Sequence, residues 1–244
     1  MKFISRKQAR QFAGGALNLL FPARCPLCDE PLSRGRVGFC PDCRGCLHPI
    51  GERGCAKCGR MLEEREDGIC GDCRSRRHFF AEGRSLYVYP EIAPAVYRFK
   101  YGGRRAYADM FAHEMCTALG ETVRGWQADA IVPVPLHRKR YRKRGYNQAA
   151  LLAKEIGRRM NLPVCDGLVG RCRDTVPQKR LNALQRQNNL KRAFKMLRND
   201  VKLDTIIIVD DIYTTGCTVD EVAKVLLEGG VKKIYVLALA SGSG

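Results

Sequence analysis

Near the C-terminal end of the sequence, two adjacent carboxylates precede a cluster of hydroxyl groups. Asp210 and Asp211 follow the aliphatic run 206–209, which predicts a central strand covered on both faces of a sheet. The two carboxylates are therefore expected at the carboxyl end of that strand, where open α/β sheets bind ligands. After them, Thr218 and Glu221 have the spacing of a capping box, which predicts a helix with Thr218 as its N-cap.

The start of this predicted helix has the chemistry of an anion site. Free backbone amides at a helix N-terminus bind phosphate, and the hydroxyls of Thr214, Thr215 and Thr218 would surround it. Gly216 would let the backbone approach the ligand closely. Two carboxylates beside a phosphate would repel it unless they face hydroxyl groups of the same ligand. The segment therefore predicts a site for a ribose 5-phosphate.

Eight of the 13 cysteines form four C-x-x-C pairs that occur as a repeat. Each of these cysteines recurs 30 residues later, and 11 residues separate the two pairs within each half. Two thiolates on one tight knuckle supply half of a tetrahedral zinc site, and a second knuckle completes it. The repeat predicts a double zinc ribbon that holds one or two structural zinc ions. The predicted ligands are Cys25, Cys28, Cys40, Cys43, Cys55, Cys58, Cys70 and Cys73.

The pairing of the knuckles stays open at this point. A local scheme joins the two knuckles of each half, an interleaved scheme joins knuckles of different halves, and Cys46 or His48 lies close enough to replace a ligand. Redox-active pairs are the rival interpretation, but they occur singly in a βαβ context that residues 25–73 lack. Zinc-thiolate ligation favours a reducing, cytoplasmic location.

The rest of the chain alternates strand-like and helix-like segments, which predicts a parallel α/β sheet. Strands are predicted at 84–89, 128–136, 201–211 and 231–240, and helices at 91–103, 105–123, 149–160 and 218–230. The stretch 137–148 is predicted as a loop. The expected domains are an N-terminal helix over 1–22, the double zinc ribbon over 23–77 and the α/β domain over 78–244.

The positive charge of the chain is concentrated in one region. The formal net charge is +18, and the segment from Arg138 to Lys195 contains 17 lysines and arginines but only three acidic residues. Such a segment favours acidic partners such as nucleic acid, phosphate-rich small molecules or an anionic surface. The apolar run 12–23 is about a dozen residues long, too short for a membrane span.

The segment IIIVDDIYTTGCT, 206–218, resembles the signature loop of type I phosphoribosyltransferases. The resemblance implies that the acidic pair holds the ribose 2′ and 3′ hydroxyls of phosphoribosyl pyrophosphate (PRPP) and that the threonine-rich part cradles its 5′-phosphate. The implied PRPP-binding residues are Asp210, Asp211, Ile212, Tyr213, Thr214, Thr215, Gly216, Cys217 and Thr218. The two aspartates are also implied catalytic residues.

Two further segments, VPVPLHRKRYRKRGYNQAALLA (132–153) and RDTVPQKRLNALQRQNNLKRAF (173–194), together with the cysteine repeat, resemble the ComF family of competence proteins. The likeness covers most of the chain. It implies a type I phosphoribosyltransferase-like parallel sheet, with helices on both faces, preceded by a small double zinc ribbon. The implied pyrophosphate loop consists of Pro133, Val134, Pro135, Leu136 and Arg138. The implied closing loop carries Gln178 and the catalytic cations Lys179 and Arg180, and Mg²⁺ is expected with PRPP.

Two functions follow from the resemblance. One is a PRPP-binding protein of DNA uptake that handles single-stranded DNA and meets proteins of the competence machinery. The other is an active PRPP-dependent glycosyltransferase of nucleotide metabolism, whose acceptor the sequence leaves open. The predicted nucleic-acid contacts are Arg138, Lys139, Arg140, Arg142, Lys143 and Arg144. Whether the ribbon docks DNA or protein, and the oligomeric state, also stay open.

Overall fold

The computed structural model describes residues 23–33, 38–172, 193–198 and 202–242. The chain divides into two compact units, one that ends at Leu47 and one that comprises His48–Gly244. The first half of the cysteine repeat belongs to the first unit and the second half to the second. The N-terminal helix predicted over 1–22 lies outside the described residues, and the domain boundaries stay a prediction.

The second unit is built on a four-stranded parallel sheet, as the alternating pattern predicts. Its strand order is β1-β6-β5-β2, and a separate antiparallel pair consists of β3 and β4. The strands are β1 (Glu82–Val88), β2 (Ala130–Pro133), β3 (Val169–Arg171), β4 (Phe194–Met196), β5 (Thr205–Tyr213) and β6 (Lys233–Ser241).

The helices include two single-turn segments that belong to the ribbons, α1 (Pro41–Gly45) and α2 (Gly71–Ser75). The others are α3 (Tyr89–Tyr101), α4 (Tyr107–Gly125), α5 (Arg138–Arg144), α6 (Gln148–Met160) and α7 (Cys217–Glu228). Within the residues that the structure describes, no helix combines the length and apolar character needed to cross a membrane.

Helices cover both faces of the sheet at its central strand. Ile206 and Ile208 on β5 pack in one hydrophobic cluster with residues of α7. Ile207 and Val209 point to the opposite face, because side chains alternate along a strand, and they are equally inaccessible to solvent. The aliphatic run 206–209 is therefore uninterrupted because the strand is buried on both faces, as the sequence predicts.

The segment 137–148 contains a helix where the sequence predicted a loop. His137 caps α5 by accepting a hydrogen bond from the Lys139 backbone amide at 3.4 Å. The helix ends at Gly145, which has φ of 77° and donates its amide to the Tyr141 carbonyl. Because almost every residue between these caps is basic, no apolar periodicity revealed the helix, and only the two caps could have done so.

Candidate functional site

A cavity of about 500 Å³ opens beside the point where β2 ends. Pro133 is the last β2 residue and lies opposite Val209, so no strand among the described residues pairs with Asp210 and Asp211 on that side of β5. The cavity brings together residues from each of the predicted ligand-binding segments that the structure describes. These are Val134, Pro135, Leu136, Arg140, Lys143, Arg144, Asp210, Asp211, Ile212, Thr214 and Thr218.

The two aspartates lie within their strand and not at its end, which corrects the expectation from the aliphatic run. β6 continues beside β5 beyond the end of β2, pairing Asp210 with Ala238 and Tyr213 with Ser241. The carboxylates are nevertheless at an edge of the sheet, because the shorter strand β2 leaves a notch there. The length of a neighbouring strand cannot be read from the aspartate segment itself.

The start of α7 differs from the predicted capping box. The helix begins at Cys217 with Gly216 as N-cap, and Glu221 Oε1 accepts a hydrogen bond from Lys224 Nζ at 2.5 Å. Thr215 is buried and donates its hydroxyl to the Cys217 sulfur at 3.2 Å, so it does not reach the cavity. Among the other implied PRPP-binding residues, those that do not line the cavity are Tyr213, Gly216 and Cys217, and they are buried too.

The acidic pair is partly neutralised by a lysine that the sequence analysis missed. Lys100, in the last turn of α3, places its Nζ 2.9 Å from Asp211 Oδ1. Asp210 Oδ1 accepts the backbone amide of Asp211 at 2.8 Å. Burial, and then the charge of Asp211, raises the pKa of Asp210 to about 7, against the opposing effect of Lys100. Asp210 therefore gains and loses its proton close to neutral pH.

The loop after β2, which is the predicted pyrophosphate loop, is held by hydrogen bonds to the backbone amide and carbonyl of Val134. The Val134 amide donates to the Val209 carbonyl at 2.9 Å, and its carbonyl accepts from Asn147 Nδ2 at 3.0 Å. Asn147 also caps α6 through the Ala149 amide. One side chain thus joins the loop to the helix behind it, a role that its position just before a helical pattern could have indicated.

The basic helix α5 presents its side chains in three directions. Arg140, Lys143 and Arg144 line the cavity of the aspartates. Arg138 and Tyr141 line a second cavity of about 630 Å³ on the other side of the loop, together with Pro133. Lys139 and Arg142 line neither cavity. The six predicted nucleic-acid residues are therefore not one surface, because a helix distributes neighbouring residues around its axis.

Arg144 is held in the first cavity by three contacts. Its guanidinium donates to Gln148 Oε1 at 2.6 Å and to the Tyr101 hydroxyl at 3.1 Å, and it lies 4.9 Å from the centre of the Tyr101 ring. Gln148 is 1% exposed, and its Nε2 has no partner among the described residues. A fixed arginine beside an unsatisfied amide is a ready donor pair for an anionic ligand.

The predicted closing loop lies outside the described residues. Gln178, Lys179 and Arg180 are all within 173–192, so their role as closing or catalytic groups stays a prediction.

The eight repeated cysteines form two separate four-cysteine clusters, one in each unit. The grouping is the local one: each half of the repeat makes its own cluster, with all four sulfurs within 4.8 Å of one another. Tetrahedral zinc with bonds of about 2.3 Å requires sulfurs about 3.8 Å apart. Cys28 and Cys40 sulfurs are 3.8 Å apart, and those of Cys58 and Cys70 3.7 Å. Each cluster therefore fits one structural zinc ion.

The two alternative ligands that follow Cys43 in the sequence, Cys46 and His48, are not part of either cluster. Cys46 is an exposed thiol in the first unit. His48, in the second unit, lies beside Glu91, with its Nδ1 3.7 Å from that carboxylate.

The second ribbon is connected directly to the helix that follows the threonine loop. His78 Nδ1 lies 2.9 Å from Asp220 Oδ2, and the Phe79 amide donates to Asp220 Oδ1 at 3.0 Å. Arg76 donates to the sulfur of Cys217 at 3.6 Å. Asp220 and Cys217 both belong to the first turn of α7. The segment after the last zinc ligand therefore supports the residues 213–218, which we call the proposed phosphate loop.

Comparison with known proteins identifies two domain families in the chain. A double zinc ribbon domain matches residues 16–74, and a phosphoribosyl transferase domain matches residues 145–243. Among solved structures, a hypoxanthine phosphoribosyltransferase from Staphylococcus aureus matches 55% of this chain and 64% of its own chain. The TM-score of this match is 0.35 and the sequence identity is 13%.

Three curated proteins are similar over much of the chain. Competence protein F of Haemophilus influenzae is 40% identical over 46% of this chain and 50% of its own length. DNA utilization protein YhgH of Escherichia coli K12 is 35% identical over 62% of this chain and 67% of its own. Competence protein ComFC of Bacillus subtilis is 28% identical over 61% and 59%. The chain thus spans half to two thirds of the length of these relatives.

These matches agree with the architecture described above, a double ribbon of four-cysteine sites and a parallel sheet with helices on both faces. The chain therefore belongs to the ComF family, together with Competence protein F, ComFC and YhgH.

Proposed function

We propose that the protein binds PRPP with Mg²⁺ in the cavity of the aspartates and serves DNA uptake by handling single-stranded DNA. The observation that carries the first part is a single cavity of about 500 Å³ that combines two carboxylates, two threonine hydroxyls and five cations, three of them on α5. Its volume is within the range of small-molecule sites. The groups suit the three chemical parts of one ligand: a diol, a phosphate and a pyrophosphate.

The arrangement indicates an orientation for that ligand. The ribose hydroxyls would face Asp210 and Asp211, and the 5′-phosphate would lie near Thr214 and Thr218, at the N-terminal end of the 12-residue helix α7. The pyrophosphate would then lie beside α5, whose three cavity-lining cations are Arg140, Lys143 and Arg144. Asp210 and Asp211 would also hold Mg²⁺, which prefers oxygen ligands and would neutralise part of the charge of the pyrophosphate.

The protonation of Asp210 makes this proposal dependent on pH. Ribose hydroxyls and a divalent cation favour the ionised carboxylate, whereas the free protein holds the pKa of Asp210 at about 7. Ligand binding should therefore release a proton near neutral pH. Affinity should fall as the pH drops below 7, because binding must then displace the proton.

Calorimetric titration with PRPP and Mg²⁺ tests the site. The wild-type protein should bind, and Asp210→Asn/Asp211→Asn should not. Asp204→Asn is the matched control, because Asp204 immediately precedes β5 and pairs with Lys232 away from the cavity. Repeating the titration near pH 7 in buffers of different ionisation heat should reveal the released proton. Failure of a folded wild-type protein to bind would reject the PRPP proposal.

The role in DNA uptake rests on the relatives and on charge. Competence protein F, ComFC and DNA utilization protein YhgH are named for competence or DNA use. The segment from Arg138 to Lys195 supplies the dense positive charge that a phosphate-tracking surface requires. We propose a cytoplasmic protein that meets single-stranded DNA and proteins of the competence machinery. Oligonucleotide binding by the purified protein, with its salt dependence, is the direct test.

Turnover is the second candidate function, and one observation favours it. Arg140, Lys143 and Arg144 line the same cavity as the acidic pair, where they would stabilise a departing pyrophosphate. The reaction would transfer the phosphoribosyl group from PRPP to a nucleophile, with inorganic pyrophosphate as the second product. Pyrophosphate release, measured with a panel of free bases and amines, tests it, and binding of PRPP without release would leave the binding function alone.

A further inference from the structure

The second cavity, on the other side of the predicted pyrophosphate loop, has no role in the binding of PRPP proposed above. It measures about 630 Å³ and shares Pro135, Leu136, Asn147 and Arg171 with the first cavity, so the loop forms part of the wall between them. Many of its other lining residues come from α5, α6, the antiparallel pair β3 and β4, and the segments next to these elements. Five residues of the whole lining are cationic, namely Arg105, Arg138, Lys154, Arg171 and Lys195, against one acid, Asp166.

We propose that this second cavity holds a segment of single-stranded nucleic acid, with phosphates on Arg138 and Lys195 and a base stacked on Tyr141. The inference rests on the DNA-handling part of the proposed function, and it locates that activity away from the PRPP site. The two sites would then be neighbours that share one loop, occupied by different ligands.

The charges of the cavity differ in their availability. Arg138 and Lys195 are exposed, and neither forms an ion pair with another residue in the described ranges. Lys154 lies 3.7 Å from Asp166 with both side chains about half exposed, so that contact is weak. Arg105 is committed to structure, since it donates to the Gly145 carbonyl at 2.9 Å and stacks on Tyr146. Arg171, on β3, is partly buried and lies 5.3 Å from the centre of the Phe194 ring. The charges most open to a ligand are therefore those on α5 and β4.

The aromatic contribution comes from α5 as well. Tyr141 is 52% exposed and lies one helical turn after Arg138, so both side chains face the same cavity. A half-exposed ring beside free cations is the combination that binds single-stranded nucleic acid, in which bases stack and the backbone is neutralised. Tyr146, the other tyrosine of the cavity, is buried and donates its hydroxyl to the Phe99 carbonyl, so it supports the wall only.

The chemistry of the cavity argues against a second PRPP. It has no pair of carboxylates for ribose hydroxyls and no helix N-terminus with threonine hydroxyls among its described lining residues. Its available cations lie on separate elements, α5 and β4, instead of converging on one point. Cations spread along a surface suit the successive phosphates of a strand.

The helix α5 offers its own control for the experiment. Arg138→Ala/Lys195→Ala removes two cations from the second cavity, whereas Lys139→Ala/Arg142→Ala removes two exposed cations that line neither cavity. Both double variants change the net charge of the protein equally. Any difference between them is therefore an effect of position and not of total charge.

The test measures binding of a fluorescein-labelled oligothymidylate by anisotropy as a function of salt. Arg138→Ala/Lys195→Ala should weaken binding at least about tenfold and reduce the slope of log affinity against log salt by about 1.4, the value for two contacts on a single strand. Lys139→Ala/Arg142→Ala should change neither by more than about twofold. Tyr141→Ala should weaken binding about tenfold at an unchanged slope, and Tyr141→Phe should retain it.

Calorimetry with PRPP and Mg²⁺ on the same variants separates the possible failures. PRPP affinity should be unchanged in Lys139→Ala/Arg142→Ala and in both Tyr141 variants. A melting transition equal to that of the wild type verifies the folding of Arg138→Ala/Lys195→Ala. Equal losses in the two double variants, or full binding by Tyr141→Ala, would overturn the location in the second cavity while leaving DNA binding intact. No oligonucleotide binding by the wild type would overturn both this inference and the DNA part of the proposed function, without touching the PRPP site.

Discussion

The two zinc ribbons of this protein have the same local structure in different surroundings. In each, the third cysteine donates its backbone amide to the first cysteine sulfur, Cys40 to Cys25 at 3.4 Å and Cys70 to Cys55 at 3.3 Å. A single helical turn follows that third cysteine in both, α1 in one and α2 in the other. The 30-residue repeat therefore specifies a knuckle geometry that does not depend on what surrounds it.

What differs is burial. Cys28 in the first ribbon is exposed, and Cys40 and Cys43 are partly buried. In the second ribbon, Cys55, Cys58 and Cys70 are at most 2% exposed and belong to a hydrophobic cluster that includes Tyr213 and Cys217 of the proposed phosphate loop. The second ribbon is thus a structural part of the ligand-binding unit, whereas the first is a metal site within its own small unit.

The largest expected contrast comes from removing one equivalent ligand in each ribbon. Cys58→Ser should lower the melting temperature of the second unit by more than about 10 °C, because structural zinc contributes about 10 kcal/mol or more and this site lies within a core. It should also weaken PRPP binding. Cys28→Ser should release one zinc ion yet shift the main transition by only about 2 °C. Circular dichroism melting curves with zinc analysis measure both.

A similar loss of stability in the two variants would contradict this difference between the ribbons. Preserved PRPP affinity in a folded Cys58→Ser protein would show that the second ribbon does not support the loop.

The next comparison concerns one position of the knuckle at which the two ribbons have different residues. Asp29 and Gly59 occupy equivalent sites, with φ of 64° and 71°, and both donate to the first cysteine carbonyl at 2.8 Å. A Cβ at Gly59 would lie 2.4 Å from the backbone of Arg84 on β1. Gly59→Ala should therefore cost about 3–4 kcal/mol of unfolding free energy, from overlap and left-handed strain combined.

Asp29→Gly is the reciprocal change and should alter the stability by less than about 1 kcal/mol, since a side chain already fits there. Chemical denaturation of both variants measures the difference. A tolerated Gly59→Ala would mean that β1 can move away from the knuckle, and the second ribbon would then be less firmly attached than the structure shows.

The ribbon around Gly59 contains contacts that the sequence predicts and contacts that it cannot predict. The cysteine spacing predicted the local pairing scheme as one option, because the two knuckles of each half are close in sequence and can reach the same zinc ion. It could not predict that Gly59 packs on β1 or that Lys100 reaches Asp211, because both contacts join segments far apart in sequence. The acidic pair was recognised from its own motif. The division of α5 between two cavities could not be predicted, because the basic residues of this helix show no apolar periodicity from which the helix could be recognised.

The repeat also places a histidine after each ribbon, and these two differ in the same way as the cysteines. His78 is buried against Asp220, while His48 has a 64% exposed side chain beside Glu91. Asp220→Ala would leave the His78 ring and the Phe79 amide without their acceptor, at a cost of about 2 kcal/mol. Glu91→Ala should cost less than about 1 kcal/mol, because its contact is open to solvent.

Urea denaturation measures both variants, and PRPP calorimetry adds a second readout for Asp220→Ala. We expect weaker PRPP binding in that variant because Asp220 lies in the first turn of α7, two residues after Thr218. Unchanged affinity together with lost stability would restrict the His78 contact to a structural role.

The smallest expected difference in stability between the ribbons comes from one ion pair of the second ribbon. Asp42 and Asp72 both lie in the first turn of their helices, so the helix dipole favours them equally. Within the residues that the structure describes, only Asp72 of the two has an arginine partner, Arg60 at 3.1 Å, because the equivalent position in the first ribbon is Glu30. Asp72→Asn should therefore cost about 0.5 kcal/mol more than Asp42→Asn, and the excess should shrink in high salt. A salt-independent excess would point to packing around the half-buried Asp72 instead of charge, and the second ribbon would then owe its stability to the hydrophobic cluster alone.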